Sequence, residues 1–203
     1  MAVSLDIFHQ FDAAMWQTTP AGSAGSALLF TWALTPPPPD GGMPESVARV
    51  FGGALCSIGP VIYAGDDESA DFRWAEEAVS EPQWSEARRR GFRRFKLALF
   101  RASSAAQLLP AFTSGRHNWS MNAQWLVVLD SPAPADHMVA VVKTLYEDWT
   151  LPDRWPLGVA MIVQAAVDGD GAACFSANKA MEERFVRALG ESARAAGIEL
   201  RKP

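Results

Sequence analysis

Arg116, His117, Asn118, Trp119 and Ser120 place a guanidinium, an imidazole, an amide, an indole and a hydroxyl side by side in the chain. A histidine acts as general base when a nucleophile lies within hydrogen-bond reach and an acceptor orients its ring, and both can come from distant parts of a fold. Ser120, His137 and Asp130 supply the residue types for such a set. No serine stands in a G-x-S-x-G turn, so the strand-to-helix elbow that exposes a hydrolase serine is missing. His9, His117 and His137 are therefore expected to be surface or hydrogen-bonded structural residues.

Carboxylates gathered around a divalent cation would suit nucleolytic or phosphoryl-transfer chemistry. Asp66, Asp67, Glu68 and Asp71 crowd into six residues, and Asp168 and Asp170 form a second pair in VDGDG. Neither stretch has the alternating oxygen ligands and closing glutamate of a calcium loop. The second reads more simply as a turn. Cys56 and Cys174 are far apart and sparse among the histidines, which gives no zinc spacing. They are expected to be buried free thiols. A G-x-x-x-x-G-K-[ST] phosphate loop and a strand-linked G-x-G-x-x-G are both missing. No cofactor and no metal are expected.

The run RRRGFRRFK, 88–96, offers planar donors suited to phosphate. The chain as a whole carries a formal charge of -5 at pH 7, which disfavours nonspecific adsorption to nucleic acid. Few aromatics stand in the run for base stacking. A solvated face paired with nearby acids is the expectation, with no direct nucleic-acid partner.

Several elements must position these groups. ALLFTWALT, 27–35, reads as a strand, ended by Pro36–Pro39, a stiff connector. Val47, Val50, Phe51, Ala54, Leu55 and Ile58 recur at helical steps and predict a helix over 44–57. PVIYA, 60–64, predicts a short strand, and Phe72, Ala75 and Val79 an amphipathic stretch that the acids at 66–71 would cap. Gly91 reads as the end of a helix, followed by a strand through Phe95, Leu97 and Leu99. A helix or loop is expected over 103–112. QWLVVLD, 124–130, is the clearest central strand. Met138, Val142, Leu145 and Trp149 line one face of a helix over 134–149, and GVAMIVQAAV, 158–167, gives another strand. A last helix, 178–196, is expected to bury Met181, Phe185, Leu189 and Ala193 and to stop at Gly197. Residues 3–16 are ambiguous between strand and helix. The order predicts one α+β domain over 1–203, a central mixed or antiparallel sheet covered by helices.

With so few catalytic signatures, the chain reads as one whose product is a surface. Its eight tryptophans are unusual, and an acidic, Trp-bearing globule suits capture of a basic partner, carboxylates speeding encounter and aromatic anchors slowing release. Asp66, Asp67, Glu68 and Asp71 are the electrostatic candidates, Trp74 and Trp84 the apolar ones, and Arg116, His117 and Trp119 a further contact group. Met1 to Gln10 lacks a basic stretch followed by a long apolar run, which predicts neither a signal peptide nor a membrane partner, and hence a cytoplasmic protein.

QWLVVLDSP, the helix ending LYEDW, and RWPLGVAMI together resemble, over residues 120–165, immunity proteins of bacterial polymorphic toxin systems, especially the immunity protein 52 family. Trp149 and Trp155 are similarities of pattern and receive no role. The resemblance implies a non-catalytic protein that binds a cognate toxin, often a nuclease, in the cytoplasm. Two alternatives stay open: an enzyme with an acid and histidine site built without a known motif, and a regulatory subunit, including a homo-oligomer.

Overall fold

The computed structural model describes residues 2–9, 24–35, 43–66, 84–90, 93–113, 125–131, 135–147, 151–165 and 171–201. The strands are β1 (Ala2–His9), β2 (Ser26–Thr35), β3 (Val61–Asp66), β4 (Trp84–Arg90), β5 (Arg93–Ala102), β6 (Trp125–Leu129), β7 (Val159–Ala165), β8 (Gly171–Ser176) and β9 (Glu199–Arg201). They form one sheet in the order β4-β5-β3-β6-β7-β8-β2-β1-β9. Every pairing is antiparallel except β1 with β9, so the sheet is mixed and the fold is α+β, as the element order predicts. Residues 3–16 resolve in part to a strand, because Leu5 and Ile7 alternate into the core beside Leu28, Phe30 and Trp32 of β2.

Four helices are described: α1 (Glu45–Ile58), α2 (Ala105–Thr113), α3 (Ala135–Glu147) and α4 (Lys179–Ala195). One core joins α1, α2 and α4 to a face of the sheet, and a second joins α3 to the other face. This two-sided cover explains why β6 is buried at all five positions and reads as a continuous apolar run. All six residues expected on the inner face of α1 are buried. Phe51 sits at the centre of the larger core, stacked on Phe30 at 4.8 Å and flanked by Phe112 at 5.8 Å and Phe185 at 6.1 Å.

Helix ends follow local chemistry. Asn178 accepts a hydrogen bond from the Met181 amide at 2.9 Å and caps α4. At the other end the Ile198 amide reaches the Ala193 carbonyl at 2.9 Å and the Gly197 amide the Arg194 carbonyl at 3.1 Å, with Gly197 at φ 68°. This is the glycine-closed helix end expected from sequence. Gly59 ends α1 for a different reason: a Cβ there would lie 1.8 Å from the Leu129 carbonyl oxygen, so the turn into β3 can pass β6 only without a side chain.

The basic run departs from expectation. The arginines before Gly91 are not helical; they belong to β4, paired with β5 from Trp84↔Leu99 to Arg90↔Arg93. β4 is an edge strand, where charged residues discourage further pairing, and that tertiary setting overrides the helical reading. The proline connector at 36–39, the amphipathic stretch at 72–79, and Asp168 and Asp170 lie outside the described residues.

Candidate functional site

Strand register brings two distant stretches of sequence to one end of the sheet. β3 ends at Asp66, its antiparallel neighbour β6 begins at Trp125, and β7, antiparallel to β6, ends at Ala165. Tyr63 pairs with Leu126, so the next residues, Ala64 and Trp125, stand level; Trp125 pairs with Gln164, and Leu99 pairs with both Ala64 and Trp84. A single row across the sheet therefore runs Trp84, Leu99, Ala64, Trp125, Gln164. Segment 67–83 is attached to β3 and segment 114–124 to β6, on adjacent strands at the same end.

Two of the partner-binding candidates fall on described elements. Asp66 closes β3, paired with Leu97, and Trp84 opens β4. Asp67, Glu68, Asp71, Trp74, Arg116, His117 and Trp119 lie outside the described residues, as does Ser120.

Beneath this end of the sheet, on the face covered by α3, two buried polar groups lack a partner among the described residues: the Trp125 indole N–H and the Gln164 side-chain carbonyl. They are 2 % and 4 % exposed, which leaves almost no water to satisfy them. Burying such a group unpaired costs about 1–3 kcal/mol, so strands shaped only for packing do not favour this pair. Sequence reading placed Trp125 on a strand but passed over Gln164; the signal was one amide inside the apolar run GVAMIVQAAV.

The described residues offer little catalytic machinery. They contain no group of three or more His, Cys, Asp or Glu able to hold a metal ion. Both cysteines are free, as expected, but only Cys174 is fully buried; Cys56 is half-buried against the core. Burial pushes the Cys56 thiol up to about 11, and burial together with the Glu182 carboxylate pushes Cys174 well above the ordinary thiol range. The thiolate is the nucleophile, so neither is poised to attack. His137 has its Nε2 3.1 Å from the Leu157 carbonyl oxygen, a structural contact of the kind anticipated for it.

At the opposite end of the sheet a turn after α3 is pinned from several sides. The Trp155 indole donates to the Val159 carbonyl at 2.6 Å, and the Asp130 amide to the Gly158 carbonyl at 3.0 Å. The turn leaves Leu157 out in solvent at 87 % exposure, an apolar side chain that sequence periodicity did not single out.

A third feature is the groove between α4 and β9, with a volume of about 830 Å³. Lys179 and the buried Glu182 form an ion pair at one end of it. Arg201 of β9 is bound in a fork to Asp6, Nε to Oδ1 at 2.8 Å and Nη2 to Oδ2 at 2.9 Å, which raises its basicity further, first through the hydrogen bonds and then through charge.

Set against protein-family models, curated proteins and solved structures, the chain matches none. No helix among the described residues is long and apolar enough to cross a membrane.

Proposed function

We propose that this chain is an immunity protein that binds a cognate bacterial toxin in the cytoplasm and neutralises it by occlusion, without turnover. The observation that carries this reading is the convergence at one sheet end. Asp66, which opens the acidic stretch 66–71, and Trp125, which closes the stretch holding Arg116, His117 and Trp119, stand on adjacent strands. An acidic stretch and an aromatic-bearing stretch joined in sequence to adjacent strands suit electrostatic steering combined with apolar anchoring. A basic protein such as a nuclease is the partner class that an acidic inhibitor of this kind fits.

The strand, helix and strand over which the chain resembles the immunity family correspond to β6, α3 and β7. This unit also carries the Trp125 and Gln164 pair, so the resemblance and the convergent sheet end meet on the same strands.

Coexpression with the product of the neighbouring gene, expected to be a modular toxin, tests the reading. A one-to-one complex that survives purification, together with rescue of growth on toxin induction, is expected. Turnover of a small substrate by the purified chain, or a neighbourhood of housekeeping genes with no copurifying protein, would overturn it.

A further inference from the structure

β5 outruns its inner neighbour. β3 pairs with it from Val61↔Ala102 to Asp66↔Leu97, whereas β4 follows it on to Arg90↔Arg93. Among the described residues, the rungs Ala87↔Lys96, Arg88↔Phe95, Arg89↔Arg94 and Arg90↔Arg93 therefore form a two-stranded ribbon that continues past β3. At about 3.4 Å per residue, this arm is about 13 Å long. Six of the chain's 18 lysines and arginines fall between positions 88 and 96, with no acid among them. We infer that the ribbon is a DNA-binding arm that enters the major groove of a B-form duplex and holds its phosphates.

The strand register carries this inference. Successive rungs alternate between the two faces of a sheet. Leu99 belongs to the core under α3, so Arg88, Arg90 and Arg93 fall on that face of the ribbon and Arg89, Arg94 and Lys96 on the other. Three basic residues on each face suit neither face to a hydrophobic core. Two consecutive rungs set arginine opposite arginine, and like charges directly opposite destabilise an antiparallel pair. Protection of a sheet edge requires a charge on one strand, not a matching charge on the next. A polyanion relieves both repulsions, and arginine, which supplies five of the six cations, binds phosphate through paired donors.

Shape selects the duplex. The major groove of B-DNA, about 12 Å wide, admits a two-stranded ribbon. The deep, narrow major groove of A-form RNA does not. The formal charge of -5 on the whole chain does not govern the tip of the arm, because charges are screened over about 8 Å at physiological ionic strength, less than the length of the ribbon. This binding is separate from capture of a toxin and requires no second protein.

Fluorescence anisotropy of a labelled DNA duplex of about 20 base pairs, titrated with the full chain between about 50 and 200 mM salt, tests the inference. The wild-type chain should bind with a dissociation constant of about 10 μM or below at the lower salt, and the logarithm of affinity should fall against that of salt with a slope of about -4 to -5. Arg89→Gln combined with Arg94→Gln should weaken binding about tenfold or more and make the slope shallower by about 2, with an unchanged or higher melting temperature because a like-charge rung is gone. Arg89→Lys combined with Arg94→Lys should retain the slope. Arg187→Gln combined with Arg194→Gln removes the same net charge from α4 and should leave affinity within about twofold, while an RNA duplex of equal length should bind about tenfold more weakly or worse. A wild-type chain that does not bind DNA at the lower salt, equal losses in the two glutamine double variants, full binding by the Arg89 and Arg94 glutamine variant, or RNA bound as tightly as DNA would overturn the inference.

Discussion

Trp125 and Gln164 are cross-strand partners on one buried face of the sheet, an indole donor and a carboxamide acceptor side by side with neither hydrogen-bonded among the described residues. Replacing Gln164 with leucine removes an unsatisfied buried acceptor while keeping most of its volume. Stability should rise by about 1 kcal/mol, and Trp125→Ala should instead lower it by about 3–5 kcal/mol through cavity formation. Chemical denaturation of both variants checks the pair; a destabilised Gln164→Leu would mean that the amide is held by more than packing.

Phe51 organises the larger core, since Phe30, Phe112 and Phe185 reach it from β2, α2 and α4. Phe51→Ala removes contacts from three elements at once and should cost about 3–5 kcal/mol. The midpoint of urea unfolding should fall with little change in slope.

Charge at the convergent sheet end should act on encounter. Converting Asp66, Asp67 and Glu68 to lysine should slow association with the toxin by about tenfold at low salt while changing dissociation much less. Surface plasmon resonance separates the two rates, and an unaltered association rate would remove steering from this stretch.

Cys56 makes stability sensitive to alkali. Its thiol, ordinarily ionising near 9, is raised to about 11 in the folded protein by burial. The folded state thus retains a proton that the unfolded chain releases, so stability is intact below pH 9 and is lost as pH climbs toward 11. Cys174 pulls in the same direction. Denaturation at stepped pH should show a shallower alkaline loss for Cys56→Ala than for the wild type.

Gly197 closes α4 at a positive φ of 68°. An alanine there adopts the left-handed conformation at a cost of about 1 kcal/mol. Thermal unfolding should report that loss, and β9, whose entry depends on this turn, should show faster amide exchange.

Local pattern alone determined much of this molecule. The inner face of α1, the limits of α4, the apolar run of β6 and the mixed α+β order follow from helical spacing, an asparagine cap, a terminal glycine and short branched runs, all of which act over a few residues. β8 escaped notice because GAACFS is mostly small residues with weak strand preference, and it is a strand because β7 and β2 pair with it on both sides. The arginines of β4 likewise look solvated in sequence, and only the antiparallel ribbon with β5 makes them an edge. The two relationships that carry the functional argument are non-local: Ala64 level with Trp125 at the entry to β6, and Trp125 beside Gln164. Each depends on strand register or on helix placement over the sheet. Those are fixed by how two cores share the faces of one sheet, a property of the assembled layers that no short window of sequence encodes.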